Sequence, residues 1–267
     1  MHINHANLGQ PSISIVIPVY NEELQLGACL EAIARQTVAP FEVIVVDNNS
    51  TDHSMEIAAT YPFVRIIKEA RHGIVFARNA GFNAASGDLL ARIDADTRLQ
   101  PNWVELLDRY MQDHPDLAAV TGKCYFRAIP LPRFFSAWHA SIYYGTQRLI
   151  AGTQILWGSN MAIRRRFWLA VQDDCLLRND VDEDIDLSLH MGRRGFKIRY
   201  YRGLRATVSL LHGKISPKQI TRYVSSWPRN YSANKMLIRA GCIWIIIGVG
   251  LWILILLSFL VRVKPED

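Results

Sequence analysis

The sequence predicts an α/β protein, a mixed, mostly parallel sheet with helices on both faces, and three observations predict it. Short apolar runs too brief for helices recur at Ile13 to Val19, Glu42 to Asp47, Val64 to Lys68 and from Leu89 onward. Segments with helical apolar spacing separate them, and that alternation is the pattern of strands laid parallel through crossover helices. Several of the runs stop at polar clusters, Tyr20-Asn21-Glu22-Glu23, Asp47 to Asp52 and Asp94 to Arg98, on the edge where open α/β sheets bind ligands.

Each element has its own local reason. Ile13 to Val19 is bounded by Pro11. Glu22 to Gln36 then places Leu26, Leu30 and Ile33 at helical spacing, with acids in the first turn to complement the helix dipole. Glu42 to Asp47 is a second strand closed by Asn48-Asn49-Ser50-Thr51-Asp52, residues that favour turns and caps. A helix to Ala59, a strand over Val64 to Lys68 and a helix over Ile74 to Ala85, punctuated by Gly73 and Gly87, follow. Beyond the stretch from Leu89 to Arg98, Asn102 to His114 reads as an amphipathic helix and Ala118 to Tyr125 as a strand.

That stretch carries Asp94 and Asp96 where the strand gives way to a loop. Residues two apart in extended backbone share a side, so both carboxylates can face one ligand. Like charges aimed at one point are best explained by a cation, and Mg²⁺ or Mn²⁺ suits, because magnesium sites commonly combine one or two carboxylates with substrate phosphates and water. The alternative is a solvated turn in which Asp96 caps the helix beginning near Asn102.

Composition narrows the classes. The 267 residues, 50% of them hydrophobic, suffice for one sizeable core with an appendage. Cys29, Cys124, Cys175 and Cys242 lack metal or redox spacing and read as reduced cytosolic thiols, and Met1 to Gln10 has no apolar signal region. The net charge of +6 is uneven, since every charged residue from Leu187 to Val263 is Lys or Arg. No nucleic-acid-binding motif accompanies this basic half. It is followed by an uncharged run, Ala240 to Val261, which at about 1.5 Å per residue is long enough to cross a hydrocarbon layer of about 30 Å. Arg222, Arg229, Lys235 and Arg239 on its flank favour a cytoplasmic side facing anionic lipid. The expected organisation is a tail over 1–12, a catalytic domain over 13–212, a basic juxtamembrane segment over 213–239, a transmembrane helix over 240–261 and a tail over 262–267. The catalytic body then lies on the cytoplasmic face of the inner membrane.

A dinucleotide fold is excluded, because no Gly-rich turn follows the first strand, and no Gly-Lys-Ser/Thr phosphate loop exists. Aromatic residues crowd Ile129 to Trp157, including Phe134, Phe135, Trp138, Tyr143 and Tyr144, with Arg133 and Arg148 among them. They suit a helix in a membrane interface or rings that cover the sheet as core.

Four motifs in order resemble those of family 2 glycosyltransferases with the GT-A fold: Ile15-Val16-Ile17-Pro18-Val19-Tyr20-Asn21-Glu22, Val45-Val46-Asp47-Asn48-Asn49-Ser50-Thr51-Asp52, Ala77-Arg78-Asn79-Ala80-Gly81 and Asp94-Ala95-Asp96. The similarity covers about Ile13 to His212. It implies an inverting, metal-dependent enzyme that takes a sugar from a nucleotide-diphosphate donor. Pro18, Tyr20, Glu22, Asp47, Arg78 and Asp94 would hold that donor, Tyr20 by stacking on the base and Asp47 by accepting a base N–H. Read alone, these last two are equally a turn tyrosine and a capping aspartate, and Arg78 a solvated helix residue. Asp96 would be the firmer ligand of Mn²⁺ or Mg²⁺, with Asp94 and His212 beside it.

Gly158-Ser159-Asn160 resembles the stretch bordering the acceptor, and Glu183-Asp184 within Asp182 to Leu189 resembles the acidic motif at a helix start. The resemblance makes Asp184 the base that takes the acceptor proton, with Glu183 toward the acceptor. Without the upstream motifs the same acids read as dipole complementation. Gln219 to Tyr223 echoes a motif of processive synthases, but one membrane segment cannot shield a translocating polymer. The sequence thus anticipates transfer of one sugar to a hydroxyl of a lipid-linked or cell-envelope glycan. A polyprenyl-phosphate glycosyltransferase and a non-catalytic nucleotide-sugar-binding subunit are the alternatives.

Overall fold

A computed structural model describes residues 12–127, 141–209 and 217–246. The first half alternates as expected: β1 (Ile13–Val19), α1 (Leu26–Ala34), β2 (Glu42–Asp47), α2 (Ser54–Ala59), β3 (Val64–Lys68), α3 (Ile74–Ala84) and β4 (Leu89–Arg92). It continues through β5 (Arg98–Leu99), α4 (Trp103–Asp113), β6 (Ala119–Arg127), a helical turn at Ser141–Thr146 and α5 (Gln147–Ala151). After a 3₁₀ turn at Gly158–Asn160 come β7 (Met161–Arg164), α6 (Arg165–Val171), α7 (Glu183–Arg193), β8 (Ile198–Ser209) and α8 (Pro217–Ala233).

The eight strands form one sheet in the order β3-β2-β1-β4-β7-β6-β8-β5. The first four are parallel. β7 runs antiparallel between β4 and β6, and this inversion shapes the site. Arg92 at the end of β4 pairs with Met161 at the start of β7, so the chain just before Met161 emerges at the carboxyl edge of the parallel strands. β8 then lies parallel to β6, with a bulge between Gly122 and Lys123, and β5 closes the far edge.

The period-2 alternation of a buried strand divides the core into two layers. Ile13, Ile15, Ile17 and Val19 of β1 face Leu26, Leu30 and Ile33 of α1 and Trp103 and Leu107 of α4. Val16, with Ile44 and Val46 of β2, faces Ala77 and Phe82 of α3, Trp168 of α6 and Leu187 of α7. The second layer depends on a close approach at Gly81, where an added Cβ would stand 2.2 Å from Val16 Cγ1 and 2.9 Å from Val46 Cγ2. Gly81→Ala therefore lowers stability by about 1–3 kcal/mol through overpacking, despite the better helix former. A fall in the urea midpoint with unchanged slope is the expected measurement.

Several boundaries differ from expectation. Glu22 to Gln25 is a turn, with Gln25 N–H and Leu26 N–H both donating to Glu22 O, so α1 starts at Leu26 and ends at Ala34. β6 extends to Arg127 because β8 pairs with it along its whole length. In the aromatic stretch Tyr144 is buried and stacks on Tyr200 at 4.4 Å, while Leu149 is exposed; residues 128–140 lie outside the described residues.

Among the described residues a second compact unit joins Asp180–Asp182 to 217–246. Within it the Ser226 hydroxyl donates to Asp182 at 2.7 Å, and a helix over 237–246 exposes Leu237, Ile238, Trp244 and Ile245. Among the described residues no helix is long and apolar enough to cross a membrane; of the expected span only 240–246 are described.

Candidate active site

The carboxyl ends of β1 and β2 form one wall. Tyr20, 48% exposed, meets His72 edge-on with ring centroids 4.5 Å apart. The turn after it is clasped to the turn after β2, where Asn21 Oδ1 accepts from Thr51 N–H at 2.8 Å and Ser54 Oγ accepts from Glu22 N–H at 2.8 Å. Asn21 has φ 55°, a left-handed geometry that Asn tolerates better than most residues. Pro18 is partly exposed next to Tyr20.

Asp47 caps no helix. Its Oδ1 accepts from Ser50 N–H at 2.8 Å, closing the turn after β2, while α2 begins only at Ser54. Asn48 is a residue that motif reading left without a role. Wholly enclosed, it donates to Glu69 O and Arg71 O and accepts from Gly73 N–H, tying the ends of β2 and β3 to the start of α3.

At the end of β4 the acids are held, not solvated. Asp94 Oδ1 pairs with Arg92 Nη2 at 2.7 Å, and Asp94 Oδ2 accepts a hydrogen bond from the Ser159 hydroxyl. Asp96 Oδ2 accepts from Ser209 N–H at 3.0 Å, at the end of β8. The alternative in which Asp96 caps α4 is thereby excluded. Burial, with the charges of Asp94 and Glu22 beside it, pushes the Asp96 carboxyl up to about 7. Arg127 Nη2 donates to Asp96 O at 2.7 Å and to Gln25 Oε1 at 2.9 Å, and Arg98 donates to the same amide oxygen at 3.0 Å. Neither arginine stood out in the sequence, because only the fold brings β5 and β6 together beside the acidic turn.

Asp184 in the first turn of α7 forms the opposite wall. Its Oδ2 accepts from Gly158 N–H at 2.8 Å and its Oδ1 from Ile185 N–H at 2.9 Å. Burial and then the Glu183 charge raise its carboxyl to about 7, against Arg92 and the Gly158 N–H, which favour the ionised form.

Three side chains expected at the ligands are held by the protein's own groups. Asn160 is fully buried: its amide donates to Leu204 O and Lys123 O and its Oδ1 accepts from Trp103 Nε1, so it stitches β6, β8 and α4 together and faces no acceptor. Glu183, 5% exposed, is paired with Arg92 Nη1 at 2.7 Å and is likewise turned inward. Arg78 is neither solvated nor open to a donor. Its guanidinium lies over Trp168, 5.2 Å from the ring centroid, and Nη1 donates to Glu183 O at 3.2 Å, so it supports the segment that carries Asp184.

No group of three or more metal-ligating side chains gathers among the described residues, and His212 lies outside them. The crowding of Asp96 by Asp94 and Glu22 is nevertheless the electrostatic setting that a divalent cation would relieve, and the oxygen donors suit Mg²⁺ or Mn²⁺.

The carboxyl edge of the sheet thus carries the paired acids Asp94 and Asp96 after β4 and faces Asp184 at the start of α7 across Gly158 and Ser159. Residues 14–169 match the sequence model of Glycosyl transferase family 2, and the chain belongs to that family. It is 28% identical over 266 residues to the uncharacterized glycosyltransferase YibD of Escherichia coli (strain K12), covering 85% of this chain and 73% of that protein. It is 36% identical over 114 residues to undecaprenyl-phosphate 4-deoxy-4-formamido-L-arabinose transferase of Serratia proteamaculans (strain 568), covering 39% of this chain and 35% of that protein. The mannosyltransferase PcManGT from Pyrobaculum calidifontis, solved with GDP-Man and Mn²⁺, shares the fold with a TM-score of 0.65 at 19% identity, over 97% of this chain and 82% of that one.

Proposed function

We propose that this chain is an inverting, metal-dependent glycosyltransferase that moves a sugar from a nucleotide-diphospho-sugar to a hydroxyl of a lipid-linked or cell-envelope glycan. Its C-terminal apolar run would anchor the catalytic body to the cytoplasmic face of the inner membrane. The observation that carries the reading is the placement of Asp184 across Gly158 and Ser159 from Asp94, with a carboxyl raised to about 7. A base of that strength is half ionised at neutral pH and can accept a proton from an alcohol as the alcohol attacks.

In the proposed reaction the acceptor hydroxyl proton passes to the Asp184 carboxylate. The acceptor oxygen bonds to the anomeric carbon from the face opposite the diphosphate, and the carbon–diphosphate bond breaks, inverting the centre. Asp96, with Asp94 and Glu22 nearby, would hold the Mn²⁺ or Mg²⁺, which supplies charge neutralisation for the departing diphosphate. Tyr20 offers an exposed ring to the base, and Asp47 Oδ2, which accepts no hydrogen bond from the described residues, is available to a base N–H.

A polyprenyl-phosphate acceptor is the second reading, favoured by the relative from Serratia proteamaculans. Such an acceptor is already anionic and needs no base, so the environment of Asp184 supports the hydroxyl. The test is a thermal-shift screen of the full chain in detergent with UDP-, GDP- and dTDP-sugars and Mn²⁺, followed by donor turnover. One base should raise Tm with Mn²⁺ present, and Tyr20→Ala should weaken that binding by about 1–3 kcal/mol, the usual worth of base stacking. Absence of a shift with every donor would reject the reading.

A further inference from the structure

We propose that Arg92 is a positioning residue, the clamp that holds the donor side and the acceptor side of the site in one alignment. The role rests on the reading of Asp184 as base but concerns a residue that touches no substrate.

β4 is buried along its whole length, and Arg92 is only 3% exposed within it. A guanidinium in such a place is costly unless it is fully paired. Arg92 is paired twice, from two arms of one rigid fork: Nη2 to Asp94 Oδ1 at 2.7 Å and Nη1 to Glu183 Oε1 at 2.7 Å. Asp94 passes the connection to Ser159 through the hydroxyl hydrogen bond, and Gly158 passes it to Asp184 through its N–H at 2.8 Å. Glu183 and Asp184 are adjacent, so the ring closes: Arg92, Asp94, Ser159, Gly158, Asp184, Glu183 and back to Arg92.

The backbone is shaped to admit this side chain. A Cβ on Gly158 would lie 1.2 Å from Arg92 Nη1, so the guanidinium occupies the space that any other residue at 158 would fill. The pairing also sorts the neighbouring acids. Glu183 is ion-paired with Arg92 and turned inward, which leaves Asp184 as the carboxylate of the pair that can meet an acceptor. A planar fork is needed, because an ammonium cannot span both carboxylates with the same geometry.

The experiment compares Arg92→Met, Glu183→Gln and the double variant for Tm, kcat and donor KM. Arg92→Met alone leaves Glu183 buried without its partner and should lower Tm sharply, whereas the double variant also removes that buried charge, leaves only the partly exposed Asp94 unpaired from Arg92, and should recover most of the loss. Transfer should not recover. With the alignment of Asp184 to the donor lost, kcat of the double variant should stay about 10²-fold down, and because the Tyr20 and Asp47 wall is untouched and only Asp94 is released on the donor side, the fall in kcat should exceed the rise in donor KM. A double variant with native kcat, a loss carried by KM instead of kcat, or additive Tm effects would each overturn the clamp. A wild-type chain that turns over no nucleotide-sugar would instead defeat the functional reading itself, which the variants do not bear on.

Discussion

Asp184→Asn should lower the rate of sugar transfer by about 10²- to 10⁴-fold, the contribution of a positioned general base, with donor affinity unchanged. The substitution keeps the volume and one carbonyl oxygen, so the hydrogen bond from Gly158 N–H can persist, while the one from Ile185 N–H is lost together with the capacity to take a proton. The pH profile gives the same group a second signature. Because burial and the Glu183 charge raise the carboxyl to about 7, the base is mostly protonated below neutrality. Hence log kcat/KM, which follows the free enzyme, should climb with unit slope up to about pH 7 and then level, so that a pH one unit below the midpoint leaves about a tenth of the plateau value. Asp184→Asn should flatten that acid limb. Near-native turnover by the variant, with the donor still bound, would move the reading to a polyprenyl-phosphate acceptor, whose oxygen attacks without a base.

How far the sequence could anticipate this site follows from which forces act locally. β1 and β2 are legible because each is a Val- and Ile-rich run whose burial is written in its own residues, β3 by its β-branched residues although it is an exposed edge strand, and the turn chemistry of Asn48 to Asp52 marks where β2 ends. The acids Asp94, Asp96 and Asp184 are legible only through the ordered motifs that carry them, since acids at strand ends and helix starts are common by themselves. Arg92, Asn160 and Arg78 are different. Each is a polar side chain whose partners come from distant segments, Glu183 for both arginines and Leu204 and Trp103 for Asn160, and spacing along the chain carries no trace of such pairings. The antiparallel insertion of β7 is equally hidden, since Met161 to Arg164 has no pattern that names its neighbours, yet that insertion brings Gly158 and Ser159 between the two walls.

Asp96→Asn should abolish metal-dependent transfer and also the rise in Tm that Mn²⁺ produces in the wild type, while making the metal-free protein more stable at pH 8. The two effects share one cause. Burial together with Asp94 and Glu22 raises the Asp96 carboxyl from its ordinary 3.8 to about 7, so the folded chain prefers the protonated form more strongly than the unfolded chain does. The sign follows from linkage: the folded state binds more protons between about pH 4 and 7, stability falls as pH rises through that window, and the full cost of the ionised group is present at pH 8. Asn removes the charge and can still accept the hydrogen bond from Ser209 N–H, so Tm at pH 8 without metal should rise by a few degrees, and the gain should vanish near pH 4. In the wild type a cation at this place would offset the same repulsion and would add about 2.7 kcal/mol when supplied at a hundred times its Kd. Thermal unfolding of both proteins, with and without Mn²⁺, separates the outcomes. A variant that is destabilised without metal, or that keeps the Mn²⁺ shift, would show that the crowded acids at the end of β4 serve the fold and that the cation is held elsewhere.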